Sequence, residues 1–309
     1  MSNSDLRVSV VIPTFKRECK YLHRAMSSIK HQTYTNIEIV VIDDNQSDSE
    51  YREKNIEFMK EFENDPNVIY YLNSENIGGS LARNVGINLA AGNYITFLDD
   101  DDEYLPEKVE KQLKFMINND CDMSFAELKI VNEKKILIDY REHSRLKKFD
   151  KISLLKYHIM RHLTGTPTFM FKAEKLREIG GFEDAKIGQE FYLMLKSIEN
   201  DFKICYLNDC DVIAYRHHDG GISHGQNKID GENKLYNFKK NYFVNFSMRE
   251  KMFIRFRHYA VMMVAYKRNK HYVYALGSGL VMIFVSPFDF IKEISRFIIN
   301  IMKKHGMER

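Results

Sequence analysis

The sequence predicts an α/β fold: a mostly parallel central sheet flanked by helices, with a C-terminal helical extension. Short β-branched apolar runs alternate with helix-like stretches through the first hundred residues. Each run is apolar nearly throughout, the pattern of strands buried on both faces. The last quarter changes character, to helix-like segments rich in Lys and Arg.

The elements follow in order. Residues 8–12 form the first expected strand, ended by Pro13, and 20–32 the first helix. Residues 37–42 (IEIVVI) form a second strand ended by Asp43, and 48–62 a second helix. A strand at 68–72 (VIYYL), a helix at 80–91 and a strand at 94–98 (YITFL) complete the regular part. From Glu103 to Gly225 the pattern loosens. Helices are expected over 106–119 and 189–200, with a strand-like run at 168–171. From Gln226 onward the chain reads mainly as helices.

The 309 residues, 44% hydrophobic and 29% charged, suffice to bury a sizeable core. Net charge is only +3, but it is uneven. Residues 236–309 hold 14 Lys and Arg against 4 Asp and Glu, a net of +10, which leaves −7 for residues 1–235. An acidic body speaks against a nucleic-acid binder, and a basic tail suits an anionic partner. The four cysteines, Cys19, Cys121, Cys205 and Cys210, show neither metal-binding spacing nor a disulfide framework, so reduced thiols are expected. The start, MSNSDLRVSVVIP, lacks a basic segment followed by a long apolar one, and no signal peptide is expected.

In open α/β sheets, ligands sit beyond the carboxyl ends of the strands. After the first strand come Thr14, Lys16 and Arg17. Asp43 and Asp44 follow the second, and Asp99, Asp100, Asp101 and Asp102 follow the fourth. Like charges so close raise one another's pKa unless a cation intervenes. Hard oxygen ligands suit Mg²⁺ or Mn²⁺, shared with substrate phosphates. A solvated acidic turn would present the same residues. Gly78 and Gly79 open a helix carrying Arg83, and a helix N-terminus favours anions. Neither a dinucleotide fingerprint nor a Walker A sequence occurs. Glu190, beside Gln189 at a helix start, suits a general base or a charge complementing the helix dipole. In YRHHDGG, His217 or His218 could add a nitrogen ligand to the metal.

Taken in order, these segments resemble the family 2 inverting glycosyltransferases of GT-A fold, a Rossmann-like architecture, in their bacterial cell-surface polysaccharide branch. The resemblance runs from Val8 to about Ser223. SVVIPTFKR is similar to the opening strand and nucleotide loop, making Pro13, Thr14, Phe15 and Arg17 donor contacts. VVIDDNQSD resembles the second-strand motif, implying that Asp44 receives the base with Asp43 nearby. NIGGSLARNVG implies donor contacts at Gly78 and Arg83. FLDDDD resembles the DxD segment. Asp99 and Asp101 would be its ends, Asp101 the direct metal ligand, and Asp100 a donor contact. GQEFYLMLK resembles the segment ending in the catalytic Glu-Asp pair, which places the base at Glu190. Here that pair reads Gln189-Glu190, one methylene longer at the base and an amide before it. YRHHDGGIS is similar to the loop whose histidine, His218 here, faces the metal or diphosphate.

The resemblance implies a metal-dependent transferase that moves a sugar from a nucleoside-diphosphate sugar, UDP favoured, to a glycan or lipid-linked acceptor. Residues 1–225 would be the catalytic domain, with 1–102 the donor half and 103–225 the acceptor and catalytic half. Residues 226–309 would be the basic helical region. The other readings are a sugar-phosphate nucleotidyltransferase and an inactive nucleotide-sugar-binding protein, and the tail leaves homo-oligomerisation open. The stretch 272–288 is uncharged, and 291–304 is basic and amphipathic. Such segments favour an anionic membrane interface, so a cytoplasmic, peripheral membrane position is expected; the other reading is a soluble helical subdomain packed on the catalytic part or on a second chain.

Overall fold

The computed structural model describes residues 6–163, 165–185, 187–216, 225–292 and 295. The chain divides into two compact units, residues 1–158 with 162–218, and 159–161 with 219–309.

The first unit begins with β1 (Val8–Thr14), α1 (Cys19–Lys30), β2 (Ile37–Asp43), α2 (Glu50–Met59), β3 (Val68–Leu72), α3 (Gly79–Leu89) and β4 (Tyr94–Phe97). It continues with β5 (Glu103–Tyr104), α4 (Lys108–Asn118), β6 (Met123–Ala126), β7 (Leu128–Asn132), β8 (Leu137–Arg141) and α5 (Lys151–Arg161), whose last three residues are assigned to the second unit. It closes with β9 (Met170–Lys172), α6 (Ala173–Glu178), α7 (Gln189–Glu199), β10 (Ile204–Leu207) and β11 (Val212–Arg216). The expected strands and helices of the first hundred residues are all present, as is the α7 helix. The run at 168–171 is shifted: its first residues form a short 3-10 turn, and the strand starts at Met170.

Seven strands form the central sheet in the order β10-β6-β9-β4-β1-β2-β3. β1 pairs in parallel with β2 and β4, β2 with β3, and β6 with β10. Only β9 runs antiparallel, between β4 and β6. The carboxyl ends of the other six strands therefore share one rim. A smaller sheet has the order β5-β11-β7-β8.

Alternate residues of the strands feed two cores, one on each face. Val11, Val40, Ile42, Phe97 and Phe125 pack in one with Phe169, Leu193 and Met194. Val10, Ile12 and Val41 pack in the other with Leu22, Met26, Leu113 and Met116. This two-sided burial is why the strands lack polar alternation. Gly86 sets the closeness of α3 to β1: a Cβ there would lie 2.3 Å from Val11 Cγ1.

One expectation fails. Cys121 and Cys205 are disulfide-bonded, with Cα atoms 6.1 Å apart, while Cys19 and Cys210 are free. The pair is 84 residues apart in sequence. The parallel pairing of β10 with β6 sets Cys205 opposite Ser124, three residues beyond Cys121. Local spacing carries no trace of that pairing.

The second unit contains α8 (Gly225–Lys239), α9 (Met248–Arg268) and α10 (Tyr272–Val285). Ser247 and Glu250 form a capping box that starts α9. No helix among the described residues is long and apolar enough to cross a membrane. Most of 291–304 lies outside the described residues.

Candidate active site

The four aspartates after β4 divide by environment. Asp100 and Asp102 are buried. Asp100 accepts from Thr14 Oγ1 at 2.7 Å and pairs with Arg17 Nε at 3.4 Å. Asp102 accepts from the backbone N–H of Tyr215 at 2.9 Å. Burial first, and then Asp101, pushes the Asp100 carboxyl up to about 7, although Arg17 and Thr14 oppose the shift. Burial, Asp101 and Asp99 also hold Asp102 well above the usual carboxylate range. Asp101 pairs with Arg17 Nη2 at 2.8 Å, and its carbonyl accepts from Arg24, whose guanidinium lies 3.8 Å from the Tyr215 ring centroid. The side chain of Asp99 is 37% exposed and pairs with Arg83. Asp99 and Asp101 thus present the carboxylates nearest solvent.

Arg83 joins this rim to the start of α7. One guanidinium nitrogen donates to Asp99, and the other to Gln189 Oε1 at 2.7 Å and to the Gly79 carbonyl at 3.1 Å. The turn into α7 is made by Gly188 in the left-handed region, at φ 77°. Glu190 therefore falls in the first helical turn, one residue from the Arg83 contact. Among the described residues it carries no hydrogen bond or ion pair with another side chain.

The second-strand aspartates, expected as donor contacts, are both held in internal hydrogen-bond networks. Asp43 is fully buried. Its carboxylate accepts from Asn45, from Asn55 at 3.0 Å and from Tyr70 at 2.7 Å. Asp44 is 2% exposed. One oxygen accepts from Asn73 Nδ2 at 2.7 Å and Ile77 N at 3.0 Å; the other accepts from Asn76 Nδ2 at 2.8 Å and Gly78 N at 2.9 Å. A carboxylate offers about four lone-pair sites, and these donors fill them. In this arrangement Asp44 positions the loop into α3, and a base could reach it only by displacing one of those donors.

The remaining expected residues sit as follows. Pro13 lies within β1, and Phe15 beyond it is 40% exposed. Lys16 takes φ 47° and donates its N–H to Asn45 Oδ1 at 2.7 Å. Gly78 precedes α3 at φ 89°. His217 and His218 lie outside the described residues. Sequence reasoning missed Arg24 and Tyr215. A single arginine on an amphipathic helix carries no signal, and the backbone donor of Tyr215 is set by β11 alone.

The donor chemistry fits a hard divalent cation: carboxylate oxygens at the rim, two of whose four carboxyls are raised by burial first and by their neighbouring aspartates second. Among the described residues, no group of three or more His, Cys, Asp and Glu side chains is arranged to enclose an ion. A cation here would need oxygen ligands from a substrate as well.

Residues 9–180, more than half of the chain, match the model for glycosyl transferase family 2. The protein is a family 2 glycosyltransferase. This transferase is 34% identical over 212 residues to an uncharacterized glycosyltransferase of Methanocaldococcus jannaschii, covering 68% of this chain and 70% of that one. It is 32% identical over 133 residues to the Escherichia coli UDP-Glc:alpha-D-GlcNAc-diphosphoundecaprenol beta-1,3-glucosyltransferase WfgD. That match covers 43% of this chain and only 50% of the relative. Among solved structures, S. aureus TarS (1–349) in complex with UDP-GlcNAc superposes with a TM-score of 0.59 at 19% identity, covering 88% of this chain and 72% of TarS. That likeness carries the fold, and the GT-A architecture expected from the motifs is the one observed.

Proposed function

We propose that this transferase moves a sugar from a UDP-sugar to a hydroxyl of a lipid-linked glycan acceptor, with inversion, in cell-surface polysaccharide synthesis. The observation that carries this reading is the Arg83 bridge. It ties the acidic rim after β4 to the helix start bearing Glu190, through Asp99 on one side and Gln189 on the other. The donor named for WfgD and the ligand of the TarS complex are both UDP-sugars, which supports uridine as the base. WfgD's named acceptor, a diphosphoundecaprenol-linked sugar, supports a lipid-linked acceptor.

In this mechanism the acceptor oxygen attacks the anomeric carbon as the bond from that carbon to the phosphate oxygen breaks. The Glu190 carboxylate takes the acceptor's proton, and UDP departs with the bonding pair. Arg17 and Arg83, at the rim, bind and orient the diphosphate. Asp101, with Asp99, would hold Mg²⁺ or Mn²⁺. The ion would supply charge neutralisation of the leaving diphosphate. The basic C-terminal region supports a peripheral position at the inner face of the cell membrane.

The test is UDP release from UDP-sugars with and without Mn²⁺. Chelation is expected to abolish release, and Asp101→Asn to do the same. Glu190→Gln should lower transfer by roughly 10²–10⁴-fold while the UDP-induced shift in melting temperature persists. Pyrophosphate as product, or wild-type turnover by Glu190→Gln, would overturn the reading.

A further inference from the structure

α10 shows its two faces to different surroundings. Ala275, Ser278 and Met282 are buried, and Tyr274 packs against Tyr266 of α9 with ring centroids 5.4 Å apart. The opposite face carries Val273 (81% exposed), Leu276 (71%), Leu280 (58%) and Phe284 (83%). Beyond the end of the helix, Phe288 (61%) and Ile291 (64%) are exposed as well. The spacing of three to four residues makes Val273, Leu276, Leu280 and Phe284 one stripe along α10. No charged residue occurs from 272 to 288.

Such a stripe calls for an occupant, and charge decides which. Arg268 and Lys270 precede the helix, and Lys292 follows it. Arg249 lies over the Phe288 ring, 5.6 Å from its centroid. A second copy would bring the same net +10 of residues 236–309 against itself, so self-association through this face is opposed. An anionic lipid surface complements both the apolar stripe and its basic ends. The 14 residues of α10 span about 21 Å at the helical rise, short of the roughly 30 Å hydrocarbon core of a bilayer.

We propose that the outer face of α10 lies flat in the interface of an anionic bilayer, with Val273, Leu276, Leu280 and Phe284 among the acyl chains and the flanking Arg and Lys at the phosphates. This rests on the peripheral-membrane reading above and names the surface that makes the contact. The chain contains no tryptophan, so Phe284→Trp in the full-length protein is a unique reporter. With phosphatidylglycerol vesicles at low salt, its emission is expected to move to shorter wavelength and to be quenched by lipids brominated near the headgroup. Leu276→Asp and Leu280→Asp should weaken vesicle binding at least tenfold, with circular dichroism and UDP-induced melting shifts unchanged. If the chain ignores anionic vesicles altogether, the peripheral reading and this inference both fall. If it binds them while the introduced tryptophan stays in water, the peripheral reading survives and α10 is the wrong surface. A tryptophan buried without lipid, together with a dimer by sedimentation that Leu280→Asp dissociates, assigns the face to a second copy and overturns the inference.

Discussion

Arg83 and Asp44 work through many bonds made by one side chain. The Arg83 guanidinium spends two different nitrogens on two different elements, Asp99 after β4 and Gln189 of α7. An ammonium is a point donor and cannot reproduce that fork. Arg83→Lys is expected to cut kcat/KM for transfer by about 10²-fold, the scale of one lost preorganised donor, and steady-state UDP release measures it. Asp44 also serves stability, through the four donors it accepts from. Asp44→Asn would turn an amide NH₂ toward two of the four donors that now meet an acceptor. Leaving buried donors unpaired costs about 1–3 kcal/mol. Urea unfolding is expected to shift by that amount, with the variant still binding UDP.

At the scale of elements, the outer strands of the sheet are tied together covalently. The Cys121–Cys205 bond links the segment entering β6 to β10, the edge strand beside it. Closing so long a loop stabilises chiefly by restricting the unfolded chain, typically by about 2–4 kcal/mol. Dithiothreitol is therefore expected to lower the melting temperature of the wild type. Cys205→Ser should melt at that lower temperature with or without reductant. Equal melting of the wild type in both conditions would show that the bond adds nothing. The helices contribute by where they begin: α3 after Gly78 and α7 after Gly188 both present their first turns at the strand-end rim, where Gly79 and Gln189 meet Arg83.

For the molecule as a whole, acid is expected to loosen the fold through a buried imidazole. His143 lies among Phe125, Tyr157 and Tyr206. Burial, followed by the charge of Arg141, pushes its pKa down to about 4 from the ordinary 6.5. The unfolded chain therefore binds a proton that the folded one refuses. Stability falls as pH drops from 6.5 toward 4 and levels off below, by about 3 kcal/mol at 1.36 kcal/mol per pH unit. Asp100 acts in the opposite sense: its pKa is raised in the fold, so its contribution is present at low pH and lost as pH rises toward 7. The difference between wild type and His143→Gln isolates the imidazole. It should shrink by that amount across the interval in chemical denaturation, and a constant difference would refute the assignment.

The sequence by itself determined the alternating strands and helices of the first hundred residues, because apolar periodicity is a local property. It also brought out Asp99–Asp102, Arg83 and Glu190, since residues at strand ends and helix starts can be read from where apolar runs stop. The second half was harder to read. β6, β7, β10 and β11 are only four or five residues long, and the antiparallel β9 is held by neighbours distant in sequence. Only the tertiary structure decided that Asp43 and Asp44 face inward onto asparagines and backbone donors, and that Cys121 meets Cys205. It alone set Arg83 between Asp99 and Gln189 and left one face of α10 without a partner. Each of these depends on which distant segment arrives at a side chain, and hydrogen-bond saturation, disulfide reach and burial are settled only when that segment is in place.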